Sequence, residues 1–230
     1  NIKDDNCIYD QTFSNRSEYI NKDVCFFNCV FNSPHEQSNQ AGGVLMIDSN
    51  LITGQNIISN CFFSHIYHID MAACIYFKST KTHFNITNCI FESNYAKLSP
   101  GCIKMENSLV TFTNCLFNNS IGISRGCIFS SSSTINLYDC TFSNNILNAT
   151  NSKGAALYLS STTSTLENVT FENNIAGYPD ASSDGPKTDG GAIYIETSDQ
   201  CEFRSCKFIN NTSTNHGGAI SIRMSSTFFD

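Results

Sequence analysis

The sequence predicts an all-β fold, a right-handed parallel β-helix of about eight turns with three short strands in each turn. Three features support this prediction: a recurring Asn-Cys-x-Phe motif, a second motif rich in Gly and Ala that alternates with it, and a short apolar–polar alternation before each Asn-Cys pair. Internal repeats of about 20 to 50 residues indicate solenoids, and period-two alternation indicates strands with one buried face.

The first motif returns at the spacing of solenoid repeats. Its copies are residues 28–31, 60–63, 88–91, 114–117, 139–142, 168–171 and 205–208, with residues 6–9 interpreted as an earlier copy. Cys and Phe share parity, so we expect both to point into the core, whereas Asn tolerates the left-handed conformation of a corner and can pair with stacked copies of itself. A second Asn follows the Phe in several turns and is expected to form the next corner similarly; it occurs at Asn94, Asn145, Asn174 and Asn211.

The second motif starts with small residues and continues into an apolar strand. Its copies are residues 42–45, 72–75, 100–103, 125–128, 154–157, 190–193 and 217–220. Gly before the strand suits a bend with positive φ. A third strand precedes each Asn-Cys pair, as the apolar Phe84 and Ile86 on either side of Asn85 illustrate. Residues 1–230 are therefore interpreted as one β-helix segment of a longer chain, with an inserted loop at 177–189.

Most of the 12 cysteines fall into two columns. The first column contains Cys7, Cys29, Cys61, Cys89, Cys115, Cys140 and Cys206. The second contains Cys74, Cys102 and Cys127 and has the parity of Lys104, so we expect it to face outward as a flat strip of small residues. That strip indicates either tight turn packing or a docking surface for another chain. The cysteines themselves are either small apolar fillers or inter-turn disulfides, although parallel Cβ vectors make disulfide torsions awkward.

Composition and residue patterns argue against several functions. The net charge of -7 and the lack of a basic run argue against nucleic-acid binding, and no apolar run in this fragment reaches the length of a membrane helix. No CxxC pair occurs and no His joins the cysteine columns, so no metal or cofactor is expected. The carboxylates are scattered, without the facing pair that sugar hydrolysis needs, so the chain is not expected to be an enzyme. Asn85 and Asn148 are the most plausible N-glycosylation sites.

The two motifs together resemble the GGA(I/L/V) and FxxN repeats of chlamydial polymorphic outer membrane proteins, with related repeats in surface proteins of protists. The matching residues are 190–193 and 217–220, together with 91–94, 142–145, 171–174 and 208–211. The resemblance covers the chain from about residue 28. It implies an adhesin at an extracellular or cell-surface location, with other protein chains or cell-surface glycans of a host as partners. The enrichment in Cys departs from that family's pattern.

Two other functions remain open. The first is a structural subunit of an extracellular filament, sheath or ciliary appendage, which would self-associate along the rod or through the strip of small residues. The second is a carbohydrate-active enzyme similar to pectate lyases, which share the predicted fold. Such an enzyme would show clustered acidic residues in a groove.

Overall fold

The computed structural model describes residues 7–14, 18–20, 25–32, 44–48, 56–69, 72–80, 82–98, 100–149, 151–177 and 188–230. Residues 178–187 of the predicted inserted loop lie outside the described residues. The chain passes repeatedly through the same sequence of short strands. The earliest strands are β1 (Ile8–Tyr9), β2 (Thr12–Ser14), β3 (Glu18–Ile20), β4 (Cys25–Phe27), β5 (Val30–Asn32) and β6 (Leu45–Asp48).

Six further turns each contain four strands. The first three of them comprise β7 (Ile57–Ser59), β8 (Phe62–Ser64), β9 (Tyr67–His68), β10 (Ile75–Lys78), β11 (His83–Thr87), β12 (Ile90–Glu92), β13 (Tyr95–Ala96), β14 (Ile103–Glu106), β15 (Leu109–Thr113), β16 (Leu116–Asn118), β17 (Ile121–Gly122) and β18 (Ile128–Ser131). The other three comprise β19 (Thr134–Tyr138), β20 (Thr141–Ser143), β21 (Ile146–Leu147), β22 (Leu157–Ser160), β23 (Thr163–Glu167), β24 (Thr170–Glu172), β25 (Ile175–Ala176), β26 (Ile193–Glu196), β27 (Cys201–Arg204), β28 (Lys207–Ile209), β29 (Thr212–Ser213) and β30 (Ile220–Arg223). One more strand, β31 (Thr227–Phe229), follows them.

Corresponding strands of successive turns pair in parallel and form four long sheets, named here in the order in which the chain visits them. The first sheet contains β1, β4, β7, β11, β15, β19, β23, β27 and β31. The second contains β2, β5, β8, β12, β16, β20, β24 and β28. The third contains the two-residue strands β9, β13, β17, β21, β25 and β29, and the fourth contains β10, β14, β18, β22, β26 and β30. The strands β3 and β6 form a separate parallel pair.

The parallel β-helix is therefore confirmed, with two differences from the sequence prediction. Each complete turn has four strands rather than three. The sequence prediction missed the strand of the third sheet because two residues are too few to show a period-two pattern. Six turns, rather than eight, carry all four strands among the described residues, and β1 to β6 supply parts of two more.

A stack of phenylalanines runs along the core and confirms the expected inward position of the motif's Phe. The rings of Phe63, Phe91, Phe117 and Phe142 lie parallel, with centroids 4.5–4.7 Å apart for each neighbouring pair. All four side chains are fully buried. This spacing matches the distance between hydrogen-bonded strands, so each ring packs on its counterpart one turn away.

Three of the corners use the same backbone device, a residue with positive φ followed by an inward residue. The Cys corner, between the first and second sheets, has left-handed residues that include Asn88 (φ 53°) and Asn114 (φ 52°). The Asn corner, between the second and third sheets, has Asn144 (φ 56°) and Asn173 (φ 54°). The hydroxyl corner, between the fourth and first sheets, has Ser132 (φ 48°). Asn and Ser suit such positions because their short side chains tolerate or favour them.

The predicted role of the second Asn needs correction. At the Asn corner the left-handed residue is the preceding one, and the second Asn points into the core. Asn145, which is fully buried, donates through Nδ2 to Phe117 O and to Asn174 Oδ1, both at 3.0 Å. Asn145 Oδ1 also accepts the backbone N–H of Ser120 at 3.1 Å. These asparagines therefore join adjacent turns from inside the helix.

Cys7 does not belong to the first cysteine column. Ile8 pairs with Phe26, which places Cys7 beside Cys25 in the first sheet, and the two form a disulfide with Cα atoms 4.6 Å apart. The corner instead begins at Asp10, which has a φ of 53°. The earliest motif copy is thus residues 10–13, not 6–9, because Phe13 is the residue that stacks on Phe31. The sequence of residues 6–9 resembles the motif, but it lies four residues before the true copy in the strand register.

The glycine-rich motif positions the fourth sheet by close backbone approach. Gly190 has a φ of 70°, and a Cβ atom at this residue would lie 2.1 Å from Ile193 O. A Cβ at Gly191 would lie 1.9 Å from Gly218 O in the next turn. The first Gly therefore meets the expected need for positive φ, and the second allows neighbouring turns to touch.

Candidate binding surface

The remaining six cysteines of the first column stack at the inward position of the Cys corner. Each thiol donates to the carbonyl two residues earlier, as Cys140 Sγ does to Tyr138 O at 3.2 Å. The sulfurs of Cys61 and Cys89 also accept a backbone N–H of the preceding turn, each at 3.4 Å. Burial raises the pKa of the Cys29 thiol, which keeps it protonated as a donor. These are free thiols with a structural role, since they satisfy backbone groups at the corner.

The second cysteine column faces inward, so the predicted outward strip of small residues is wrong. Cys74, Cys102 and Cys127 are all buried within the main core. The parity argument failed because the strand starts with a bulge: the N–H groups of Cys74 and Ile75 both donate to Cys102 O, at 2.9 and 3.2 Å. A bulge inserts an extra residue and breaks period-two alternation. The thiol of Cys102 then reaches Ser120 Oγ at 3.0 Å inside the helix.

The outer face of the fourth sheet carries a row of large side chains that the sequence reasoning missed. The row consists of Tyr76, Lys104, Phe129, Tyr158 and Tyr194, which occupy one register position in successive turns. The signal was present in the sequence as an aromatic residue that often follows the first Ile or Leu of the strand. All five side chains are buried although they point away from the core.

Charged side chains cover this row and pair with one another. Lys153 Nζ lies 4.4 Å from the centre of the Tyr194 ring and 3.4 Å from Glu196 Oε2. Tyr158 donates a short hydrogen bond to Glu196, and Tyr194 donates to Glu196 Oε2 at 3.3 Å. Burial disfavours the charged carboxylate, but these hydrogen bonds and Lys153 outweigh it and hold the pKa of Glu196 below its usual value. The cluster satisfies its own polar groups.

A similar cluster surrounds Glu106, which lies three strands away from Glu196 in the fourth sheet. Lys104 Nζ lies 2.9 Å from Glu106 Oε1 and 4.6 Å from the centre of the Tyr76 ring, and Tyr76 donates to Glu106. Glu106 and Glu196 occupy the same column, which the sequence reasoning overlooked, but three turn spacings separate them. That places them roughly 14 Å apart, beyond the separation of about 5 to 9.5 Å that glycosidases use. Among the described residues, no group of three His, Cys, Asp or Glu side chains is arranged to hold a metal ion.

The two glycosylation candidates occupy exposed positions. Asn85 lies on the outer face of β11, and Asn148 follows β21; both are exposed. By contrast, the sequon residue Asn168 donates to Asp139 Oδ1 at 2.6 Å in the row of the Cys corner. The structure therefore leaves the side chains of Asn85 and Asn148 accessible to a modifying enzyme.

A polar groove runs along the hydroxyl corner across four successive turns. It has a volume of about 510 Å³ and is lined by Thr80, Asn107, Ser108, Leu109, Ser132, Ser133, Thr134, Ser161 and Thr163. None of these residues is charged at neutral pH. The inward residues hydrogen-bond to the backbone. Ser133 Oγ, for example, donates to Ser131 O at 2.7 Å and accepts the N–H of Ser108 at 3.0 Å. The groove is therefore a built surface of hydroxyl and amide groups.

The outward groups of this groove have no partners among the described residues. Side chains at the left-handed positions, such as Ser132 and Ser161, are exposed and make no side-chain hydrogen bond there. At the Cys corner the same positions are paired: Asn114 Nδ2 donates to Asn88 Oδ1 at 2.9 Å, and Asn88 Nδ2 donates to Asn60 Oδ1 at 3.1 Å. The outward polar groups of this groove are thus available to a ligand, whereas those of the Cys corner are paired along the axis.

Comparison with known proteins agrees with the fold. No curated protein and no solved structure gives a significant match to the chain. None of the described residues forms a helix with the length and apolarity that crossing a bilayer requires. The family model described as right handed beta helix region matches residues 64–229, which is well over half of the chain. With its in-register parallel sheets and single central core, this chain belongs to the right-handed β-helix family.

Proposed function

We propose that this chain is a non-catalytic, extracellular or surface-displayed β-helical module that binds a ligand along its side, as an adhesin does. The observation that carries the proposal is the groove of the hydroxyl corner, where outward polar side chains are unpaired over several turns. A rigid solenoid presents such groups at fixed intervals of about 4.8 Å. Function in this fold depends on the surface that is presented.

Two observations support a location outside the cytosol. The Cys7–Cys25 disulfide is of a kind that persists mainly in oxidising compartments. The motif pair also resembles the GGA(I/L/V) and FxxN repeats of polymorphic outer membrane proteins, whose members are adhesins at a cell surface. In this chain the first Gly of residues 190–193 takes the positive φ that makes Gly necessary, so the resemblance has a physical basis.

Two carboxylates on the outer face of the fourth sheet, Glu106 and Glu196, support a non-catalytic role. Glu106 and Glu196 are each held by Tyr and Lys partners. Their roughly 14 Å separation does not suit a shared sugar ring. The groove of the hydroxyl corner has no carboxylate among its lining residues. An acid or base would therefore have to come from elsewhere to act on a ligand bound there.

One observation favours a structural subunit as the alternative function. The outer face of the third sheet carries a half-exposed apolar row of Tyr67, Tyr95, Ile121, Ile146 and Ile175. The rings of Tyr67 and Tyr95 stack with centroids 4.7 Å apart. A continuous apolar row along a rod is suited to lateral packing between copies.

A binding assay and a sedimentation assay together test the proposal. The purified chain is applied to arrays of immobilised glycans and extracellular matrix proteins, and its mass is measured by analytical ultracentrifugation over a range of concentrations. Saturable binding by a monomer is the expected result. Assembly that grows with concentration and is abolished by Ile121→Asp and Ile146→Asp would overturn it in favour of the structural alternative. A monomer that binds no arrayed ligand, or one that cleaves an arrayed glycan, would also overturn it.

A further inference from the structure

We propose that the second cysteine column is a binding site for one soft monovalent metal ion, Cu(I), held between the sulfurs of two successive turns. The column contains Cys74, Cys102 and Cys127, which directly precede in-register residues of β10, β14 and β18. Thiolate sulfur is the protein ligand that selects Cu(I). Two ligands on opposite sides satisfy this ion, so a stacked pair of thiols suffices although no group of three ligands occurs among the described residues.

The spacing of the column matches the reach of such an ion. Neighbouring parallel strands lie about 4.8 Å apart, and side chains at equal register positions point the same way. An ion midway between two of these sulfurs would lie about 2.4 Å from each, close to the distance of about 2.3 Å that thiolates form with Zn²⁺. The parallel side chains that hinder a disulfide, whose sulfurs must approach to about 2.05 Å, therefore suit a bridging ion.

The fold itself does not require thiols in this column. Other turns have Val or Ala at the same position, namely Val44, Ala156, Ala192 and Ala219. Each thiol of the Cys corner donates to a backbone carbonyl, whereas among the described residues no thiol of the second column does so. Metal binding displaces the thiol protons, and in this column their loss leaves no carbonyl without its donor.

Two buried polar side chains point towards the central sulfur of the column. Asn94 is 1% exposed, and its amide is fixed by the backbone: Oδ1 accepts the N–H of Ile66 at 3.1 Å, and Nδ2 donates to Phe63 O at 3.0 Å. The same Nδ2 donates to Cys102 Sγ at 3.8 Å, and Ser120 Oγ lies 3.0 Å from that sulfur. Since a hydroxyl proton can rotate, both groups can donate to a thiolate and offset its negative charge.

These contacts favour ionisation of Cys102 over that of its neighbours. Burial opposes the charged form, but hydrogen bonds from the two neighbouring thiols and from Ser120 outweigh it and lower the pKa of Cys102. Burial and the Cys102 sulfur raise the pKa of both Cys74 and Cys127. One ion displaces the proton of Cys102 and that of one neighbour to solvent, and the resulting dithiolate complex carries a single negative charge. Because Cys102 lies between the other two thiols, it is a ligand whichever neighbour is the second.

An anaerobic competition titration with Cu(I) tests the site. The ion is supplied as its bicinchoninate complex, whose colour falls as the protein takes the ion, and each mixture is read once uptake and release give the same value. We expect the wild-type chain to bind one ion tightly and Cys102→Ala to bind it at least tenfold more weakly. Cys74→Ala and Cys127→Ala should each weaken binding less than fivefold, because the other neighbour remains. Cys115→Val is the matched control from the Cys corner and should change the affinity less than twofold.

X-ray absorption at the copper edge of the loaded wild-type chain needs no variant. Two sulfur neighbours at about 2.3 Å are expected, and nitrogen or oxygen ligands would overturn the site. The absence of tight binding would also overturn it, as would equal affinities of the wild type and Cys102→Ala, or a loss of binding in Cys115→Val alone. The proposed function does not depend on the outcome, because these thiols lie in the core and not on the outer surface.

Discussion

The Cys corner and the hydroxyl corner share one backbone geometry but differ in what their side chains do. Both place a residue with positive φ before an inward residue, as at Asn114-Cys115 and Ser132-Ser133. Both inward groups donate to the carbonyl two residues earlier, Cys115 Sγ to Thr113 O at 3.4 Å and Ser133 Oγ to Ser131 O at 2.7 Å. The outward groups differ, because Asn114 pairs with Asn88 whereas Ser132 has no partner among the described residues.

This difference shows how a repeat fold can carry structure on one edge and recognition on another. A paired row of asparagines uses its hydrogen bonds along the axis and leaves few for a ligand. The short side chains of Ser132 and Ser161 at the same backbone position do not pair with a neighbouring turn and keep their hydrogen-bonding capacity. At these two corners the same backbone position therefore carries a row that pairs along the axis in one case and outward groups that stay unpaired in the other.

The largest expected effect is the difference in thiol labelling between the native and the unfolded chain. At pH 8 the nine buried free thiols should resist iodoacetamide by orders of magnitude relative to the unfolded chain, and the half-buried Cys206 should react first. Burial also raises the pKa of the Cys206 thiol, so only a small fraction of this thiol is ionised at pH 8. Mass spectrometry of the native and urea-unfolded protein measures the effect.

The same experiment reports the oxidation state of the columns. Without reductant the unfolded chain should take up ten labels, and with reductant twelve, since Cys7 and Cys25 are the disulfide pair. Labels missing before reduction from the six cysteines of the Cys corner would contradict their hydrogen-bonding role, because an oxidised sulfur cannot donate to a carbonyl.

Replacing the inward residue with Val should reduce the free energy of unfolding more at the hydroxyl corner than at the Cys corner. This effect is smaller than the labelling contrast. Ser133→Val removes the acceptor of Ser108 N, 3.0 Å away, and should lower the free energy of unfolding by about 2 kcal/mol. Cys140→Val should cost less than about 1 kcal/mol, because the chain already uses Val169 at this position one turn later. Urea unfolding followed by circular dichroism measures both values, and equal losses would mean that the thiol and the hydroxyl do the same work.

Glycine substitutions of the outward residues should give the smallest difference. Asn114→Gly removes the 2.9 Å bond to Asn88 Oδ1 and should destabilise by about 1 kcal/mol. Ser132→Gly removes no such bond and should change stability by less than about 0.5 kcal/mol, since Gly accepts positive φ. Both changes loosen the unfolded chain alike, so their difference in chemical denaturation isolates the axial pairing. A larger loss for Ser132→Gly would show that the hydroxyl corner is paired after all.

The features that repeat in register from turn to turn could be predicted from the sequence. The features that depend on a local departure from that register could not. The inward Phe, the left-handed Asn of the Cys corner and the first Gly of the second motif follow from parity and φ preference. The burial of Cys74 does not, because a bulge moves it to the other face. The position of Cys7 depends on three-dimensional pairing with Cys25.

The candidate site was the least predictable part of the molecule. Ser and Thr are frequent throughout the chain, so nothing in the sequence separates Ser132 from a serine elsewhere. The pattern becomes visible only when positions from four turns lie side by side, with partners assigned. The row that begins at Tyr76 could have been predicted from its repeat position, but its burial beneath Lys and Glu side chains could not.

Length variation is largest at one edge of the helix. The segment between the third and fourth sheets is residues 123–127 in one turn and 177–192 in another, whereas the Cys corner and the Asn corner keep a two-residue form in every described turn. Strand register on both sides is unaffected, as Leu157 still pairs with Ile193 across the longer segment. A peptide tag or a small folded domain inserted between Gly177 and Thr188 would therefore be displayed from the rod without changing its pitch, which makes this edge the natural place to engineer new recognition into the scaffold.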